Sequence, residues 1–251
     1  MYGLCIAAGI LVAAFFAKLI LKNENKSFDD FIIYSTVLFG LGIAGAKLFY
    51  IFLSFPIAEI PEQLFYLISS KEKSSAGFVF YGGLIFAMPG FFIARAITKK
   101  PVRDFLPVFA CILPVIHAFG RIGCFCAGCC YGCPYEGVCA IHYHNPISQV
   151  QPDIGIFPVQ LLEATLLFIL SALLIISRFR MKASQNADYF SIFSYLIFYS
   201  IIRFFLEFLR GDGVRGSILI FSTSQFISLM IVFLCLGFII FKIIKKGIIA
   251  R

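Results

Sequence analysis

Seven stretches of this chain are long and apolar enough to approach or exceed the roughly 20 residues that a helix needs to cross the hydrocarbon layer of a bilayer. They lie near 2–21, 31–53, 78–97, 102–119, 157–177, 189–209 and 218–241. Lipid offers no partner to backbone N–H and C=O groups, so such segments must satisfy their own. The expected fold is therefore an all-α integral membrane protein with about seven transmembrane helices in one bundle. Composition agrees: 61% of the 251 residues are hydrophobic and only 14% are charged, too apolar for a water-soluble domain of this length. The stretch at 102–119 is the weakest, because Pro107 and Pro114 interrupt it and neighbouring helices must make good the missing amide donors.

Orientation follows from where Lys and Arg collect, since short loops rich in them stay in the cytoplasm. Lys22 and Lys26, Lys99, Lys100 and Arg103, Arg178, Arg180 and Lys182, and Lys242, Lys245, Lys246 and Arg251 all fall on one side. The amino terminus is therefore expected outside and the carboxyl terminus in the cytoplasm. The net charge of +8 sits in these short juxtamembrane clusters and forms no continuous stripe, which argues against a nucleic-acid partner and for anionic membrane lipids. The first apolar stretch has no preceding basic region and no small-residue cleavage site, so it reads as a permanent helix. Residues 1–251 read as a single polytopic membrane domain carrying two longer outer loops. The loop at 54–77 is mixed apolar and acidic, which suits a short helix in the interface; the loop at 120–156 is rich in cysteine.

Charges near apolar spans mark the candidate site. Arg203, Glu207 and Arg210 are spaced i, i+4, i+7 and are expected on one face of a helix. An ionised residue deep in a bilayer costs about 3 kcal/mol even on the lenient insertion scale, so such groups usually face a polar cavity. Arg121 lies among Gly120, Gly123, Gly128 and Gly132, where backbone can approach a ligand and a guanidinium fork can grip phosphate oxygens. Together Arg121, Arg203 and Arg210 are expected to form an outward-facing anion clamp suited to a phospholipid headgroup. His117 stands one turn before Arg121 and can share its face.

The segment GRIGCFCAGCCYG, Gly120 to Gly132, resembles the signature loop of the prolipoprotein diacylglyceryl transferase family. Further segments are similar to that family in the same order along the chain. They are Tyr2-Gly3-Leu4, GAKLFY, YGGLI, FPVQLLEA, RFFLEFLRGD and STSQFISL. The resemblance implies a bacterial multi-pass enzyme of the cytoplasmic membrane that moves the diacylglyceryl group of phosphatidylglycerol onto the lipobox cysteine of a preprolipoprotein, forming a thioether. It implies no cofactor. By position it implies that Arg121 and Arg203 hold the phosphate, that Glu207 orients Arg203 or a partner of it, and that Tyr2 and Gly132 shape the lipid pocket. Gln160 and Glu163 are implied as buried polar supports, and Gly82, Gly83, Gly123, Cys124, His117 and Arg210 as lining the substrate site.

The chain departs from that pattern close to the chemistry. Cys124 and Cys129 stand where the family has Asn and Glu, Lys47 replaces an Arg, and Tyr81 replaces the His of a His-Gly-Gly segment. Tyr81, with a reference pKa of about 10, can serve as a base only if a cation lowers it. Cys124, Cys126, Cys129, Cys130, Cys133 and Cys139 crowd the outer loop with His142 and His144. They are compatible with local disulfides, with free thiols, or with a zinc or iron site; no clean pair of C-x-x-C elements stands at zinc-ribbon spacing, so no metal is assigned. Two other functions remain open: a membrane thiol–disulfide oxidoreductase, and a non-catalytic lipid-binding relative of the transferase.

Overall fold

A computed structural model describes residues 1–68, 79–144, 150, 153–181, 184–211, 217–218 and 221–249. It contains eight α-helices among the described residues: α1 (Tyr2–Asn23), α2 (Phe28–Ser54), α3 (Ile60–Ile68), α4 (Phe80–Thr98), α5 (Leu106–Ala127), α6 (Val159–Arg180), α7 (Gln185–Leu206) and α8 (Thr223–Ile249). Strands β1 (Ser217–Ile218) and β2 (Phe221–Ser222) pair antiparallel before α8. Six helices, α1, α2, α5, α6, α7 with the turn after it, and α8, are long and apolar enough to cross a membrane; α4 adds a shorter apolar helix at Gly82–Thr98. The all-α membrane architecture read from the sequence is present. The short helix expected in the 54–77 loop is α3, and residues 69–77 of that loop lie outside those described.

The chain divides into two compact units. One comprises Lys26–Phe105. Its entry is fixed by Ser27, whose hydroxyl accepts the Asp30 amide at 3.1 Å while Asp29 and Asp30 occupy the first turn of α2, where carboxylates meet the positive end of the helix dipole. Small residues then let α2 and α4 approach closely. A Cβ built on Gly45 would lie 2.7 Å from the Gly82 carbonyl, and one on Gly83 would lie 3.0 Å from that of Gly42. The Tyr34 hydroxyl donates to the Lys100 carbonyl at 2.8 Å, and its ring packs on Phe105 with centroids 4.7 Å apart.

The other unit comprises Met1–Asn25 and Leu106–Arg251, with α5 lying against α1, α6 and α7. α5 runs unbroken through Pro114. One turn earlier the Cys111 carbonyl receives the Ser171 hydroxyl of α6 at 2.6 Å, which ties α5 to α6 beside the proline. α5 also extends further than expected. The segment read as loop from Gly120 is helical as far as Ala127, because Gly120 and Gly123 are packing positions rather than turns. A Cβ on Gly120 would touch Ile6 at 3.4 Å, and one on Gly123 would lie 2.7 Å from the Tyr2 ring.

At the end of this unit bearing the carboxyl terminus of α6, Arg178 is 2% exposed and is held between Glu24 and Asp188, the latter at 2.7 Å. Removing one member of a buried ion pair leaves the others uncompensated at a cost of about 3–5 kcal/mol. Arg178→Ala is therefore expected to lower the thermal unfolding midpoint in detergent sharply, and Arg178→Lys to recover only part of the loss, since an ammonium keeps the charge without the fork that serves both carboxylates.

Candidate functional site

The predicted charged residues converge within the larger unit, on α5, α6, α7 and the turn that follows α7. Glu163 is the pivot. It sits on the second turn of α6, is 1% exposed, and faces α5, where His117 and Arg121 are one turn apart. Its Oε1 lies 3.0 Å from Nε of Arg121 and 3.6 Å from Nε2 of His117. On α7, Arg203 reaches Glu207 with an Nη2–Oε2 separation of 2.7 Å, the i, i+4 pair read from the sequence. The Tyr199 ring, one turn before Arg203, stands edge-on to His117 with centroids 5.3 Å apart and so links α7 to α5.

Arg210 arrives by a different route from the one expected. α7 ends at Leu206, a single 3₁₀ turn covers Glu207–Leu209, and Arg210 is extended, so it does not continue the helical face of Arg203 and Glu207. It forms an antiparallel bridge with Gly132 instead. The Cys133 amide donates to the Leu209 carbonyl at 2.9 Å, and the Gly211 amide to that of Tyr131 at 3.1 Å. This zipper needs glycine: a Cβ on Gly132 would lie 3.0 Å from the Leu209 carbonyl, and one on Gly211 only 2.8 Å from the Gly132 carbonyl carbon. The zipper returns Arg210 to the group. Arg121 and Arg203 each lie within electrostatic range of it and of Glu163.

Two supports were not singled out from the sequence. Ser224, on the first turn of α8, accepts a hydrogen bond from Nη2 of Arg203 at 3.0 Å. It is placed by a reciprocal cap, in which the Ser222 amide donates to Oε1 of Gln225 at 3.0 Å and the Gln225 amide donates to the Ser222 hydroxyl at 3.2 Å. Ser-x-x-Gln before an apolar run is a readable sign of that cap. The second is Tyr199, whose four-residue spacing from Arg203 was the available signal.

Three guanidiniums, from Arg121, Arg203 and Arg210, thus face two carboxylates, from Glu163 and Glu207. The surplus is positive, and the charge is partly desolvated. Such a site can hold an anion and stabilise negative charge that develops on it.

Cysteines line the same site. Gln160, fully buried, donates from Nε2 to the Cys129 carbonyl at 2.9 Å. The nine cysteines are all described and all free, so the staples considered for the outer loop are not formed. Cys124, Cys129 and Cys130 gather, and the cluster does not include His142 or His144. A hydrogen bond from Cys124 and the nearby charges of Arg210 and Arg121 pull the Cys130 thiol down to about 5 against the opposing effect of burial, while burial raises that of Cys129. Tyr2, at the start of α1, is within electrostatic range of all three cysteines and of Arg121.

Tyr81, Gly82 and Gly83 belong to the smaller unit. Gly82 and Gly83 lie where α4 crosses α2, and the Tyr81 side chain is outside those described. Lys47 is buried on α2, its Nζ 5.4 Å from the centre of the Tyr50 ring.

Glu163→Ala would leave Arg121 without its buried counter-charge, and a loss of about 3–5 kcal/mol is expected in detergent unfolding. Arg121→Met in the same background is expected to restore most of it, because the uncompensated charge is then gone.

The family model for prolipoprotein diacylglyceryl transferases matches residues 1–241. The phosphatidylglycerol–prolipoprotein diacylglyceryl transferase of Clostridium tetani is 34% identical over 249 residues, covering 96% of this chain and 92% of that protein. Phosphatidylglycerol–prolipoprotein diacylglyceryl transferase 2 of Clostridium perfringens is 34% identical, with 98% and 90% covered. The Streptococcus sanguinis transferase is 29% identical, with 98% and 92% covered.

Proposed function

The chain belongs to the prolipoprotein diacylglyceryl transferase family, and from that premise we propose that it moves the diacylglyceryl group of phosphatidylglycerol onto the lipobox cysteine of preprolipoproteins. The observation that carries the reading is the cluster of Arg121, Arg203 and Arg210 backed, among the described residues, by two carboxylates inside an apolar helical unit. The chemistry is displacement at carbon. The acceptor sulfur attacks the glyceryl carbon bonded to phosphate, the carbon–oxygen bond breaks, and glycerol phosphate departs with the bonding electrons. A phosphodiester carrying one negative charge becomes a monoester carrying nearly two. Donors already aimed at those oxygens stabilise the transition state more than the ground state, which is what accelerates the step.

In this reading Arg121 and Arg203 grip the phosphate and Arg210 adds charge. Glu207 orients Arg203, while Glu163 orients Arg121 and holds His117. Gln160 fixes the turn that carries Cys129. Tyr2, Gly123, Cys124 and Gly132 shape the adjoining pocket. The site opens to the outer leaflet of a bacterial cytoplasmic membrane, with the amino terminus outside, since Lys and Arg concentrate at the opposite ends of the spans. Membrane lipid thus supplies the donor directly. Neither a thiol–disulfide oxidoreductase nor a non-catalytic lipid binder accounts for guanidiniums assembled around buried carboxylates beside a free-thiol cluster as economically.

Purified protein incubated with phosphatidylglycerol and a lipobox peptide is expected to yield a diacylglyceryl adduct on the peptide cysteine, read by mass spectrometry. Loss of one preorganised donor to a developing oxyanion costs about 10²–10³ in rate, so Arg203→Ala is expected to fall in that range. Arg203→Lys should recover little, since an ammonium keeps the charge but loses the planar set of donors that matches phosphate oxygens in bidentate fashion. Full activity in an Arg121→Ala/Arg203→Ala protein, or no adduct with any of several acceptors, would refute the proposal.

A further inference from the structure

We infer that Cys124, Cys129 and Cys130 form a site for one thiophilic divalent ion of the zinc type, whose open coordination position takes the acceptor thiol of the proposed transfer. The role of the open position rests on the transferase reading; the ion site itself does not.

The backbone assembles the three sulfurs. α5 ends on Gly128, which adopts the left-handed conformation with φ 67°. The Gly128 amide donates to the Phe125 carbonyl at 3.2 Å and the Cys129 amide to the Cys124 carbonyl at 3.1 Å. This nested pair is the Schellman helix ending, which folds the residue after the glycine back onto the residue five positions before it. Here both are cysteines. Such a contact is ordinarily apolar, and two thiols in its place supply little hydrophobic fastening but two soft ligands. Cys130 then adopts φ 55°, a left-handed conformation uncommon for a residue other than glycine. That turn brings the third sulfur to the first two. Gln160 secures the Cys129 carbonyl from α6, and the Gly132–Arg210 bridge fixes the chain beyond.

The dimensions suit a metal. The three sulfurs lie within 4.8 Å of one another. Zinc bonded to sulfur at about 2.3 Å in tetrahedral geometry needs sulfurs about 3.8 Å apart, so rotamer adjustment alone can close the site. The ligand count is also informative. Structural zinc sites are closed by four protein ligands, whereas catalytic ones present three and keep a position open. The charges balance as well: three thiolates around a divalent ion leave one net negative charge, and Arg121 and Arg210 lie within range to offset it.

The open position answers a need of the reaction. The acceptor must attack as a thiolate, and coordination deprotonates a thiol outright while leaving sulfur lone pairs able to attack carbon. On binding, the acceptor thiol releases its proton to water. Its sulfur forms the bond to the glyceryl carbon, the carbon–oxygen bond to phosphate breaks, and glycerol phosphate leaves with the electron pair. The neutral thioether is a weak ligand and departs. The ion changes neither charge nor oxidation state, so no oxidant or reductant is required.

The test uses full-length protein in detergent, stripped with a chelator under reducing conditions and titrated with Co²⁺. One equivalent is expected to saturate a thiolate-to-cobalt charge-transfer band. Cys124→Ser, Cys129→Ser and Cys130→Ser are expected to lose the band, and Cys126→Ser and Cys139→Ser to keep it. Adding a lipobox peptide should shift the cobalt d–d bands, and the same peptide with Ser for Cys should not. Absence of the band, or its survival in the Cys124→Ser/Cys129→Ser protein, overturns the site. Where a serine variant fails to fold, the peptide-induced shift in the unaltered protein decides. Lipidation at full rate by zinc-free protein overturns the metal's role and leaves the transferase reading standing. A cobalt spectrum that responds to peptide in a protein that lipidates nothing supports the site and sinks that reading instead.

Discussion

The constraint on which the rest of the structure depends is the cost of keeping ionised groups inside an apolar helical unit. A carboxylate as buried as Glu163 survives only with a cation close by, and Arg121 supplies it across the helix interface at 3.0 Å, with the His117 ring beside it at 3.6 Å. That requirement fixes more than one pair. It sets the rotation of α5 about its axis, because His117 and Arg121 must both face α6. It also sets the depth of α7, because Tyr199 meets His117 and Arg203 must remain within range of the same carboxylate. Helices in lipid gain little from burying apolar side chains against one another, so a buried polar network of this kind specifies one arrangement where leucines would tolerate several.

Features governed by local spacing were legible in the sequence. Long apolar runs predicted the spans, and the i, i+4 interval predicted the Arg203–Glu207 pair seen at 2.7 Å. Features governed by distant partners were not. Arg210 at i+7 looked helical, yet its position is decided by Gly132, far away in sequence, with which it forms a bridge. Gly120 and Gly123 looked like turn residues because glycine usually breaks a helix exposed to water. In this unit they are the places where α1 comes close, with Ile6 and Tyr2 occupying the space a side chain would need. The real stop, Gly128, was present in the same segment, but only its φ of 67° distinguishes it from the other two.

A glycine's role here is thus assigned by its partner, and the two kinds sit in succession along α5. Gly123 admits the Tyr2 ring and so joins α1 to the site; Gly128 ends the helix and folds Cys129 back on Cys124. Beyond it Gly132 permits the backbone pairing that delivers Arg210. One short stretch therefore performs packing, termination and zipping in turn. A substitution in it is felt through whichever of those the position serves, even though none of the glycines has a side chain to offer a substrate.

The same physics produces opposite outcomes in two parts of the larger unit, and the difference lies in the balance of charge. At the end of α6, one guanidinium, from Arg178, is enclosed by Glu24 and Asp188. Among the described members acid outnumbers base, so the cluster serves to tie α1, α6 and α7 together. Nearer the start of α6, three guanidiniums surround Glu163 and Glu207, and among the described residues base outnumbers acid. Such a cluster attracts an anion, and a phosphate brings the charge and the oxygen geometry that guanidinium forks match. Both clusters are buried ion networks, and burial alone would not tell them apart. Their stoichiometry does: a network whose charges close upon themselves holds helices together, and one left with a cation in excess is built to receive a ligand.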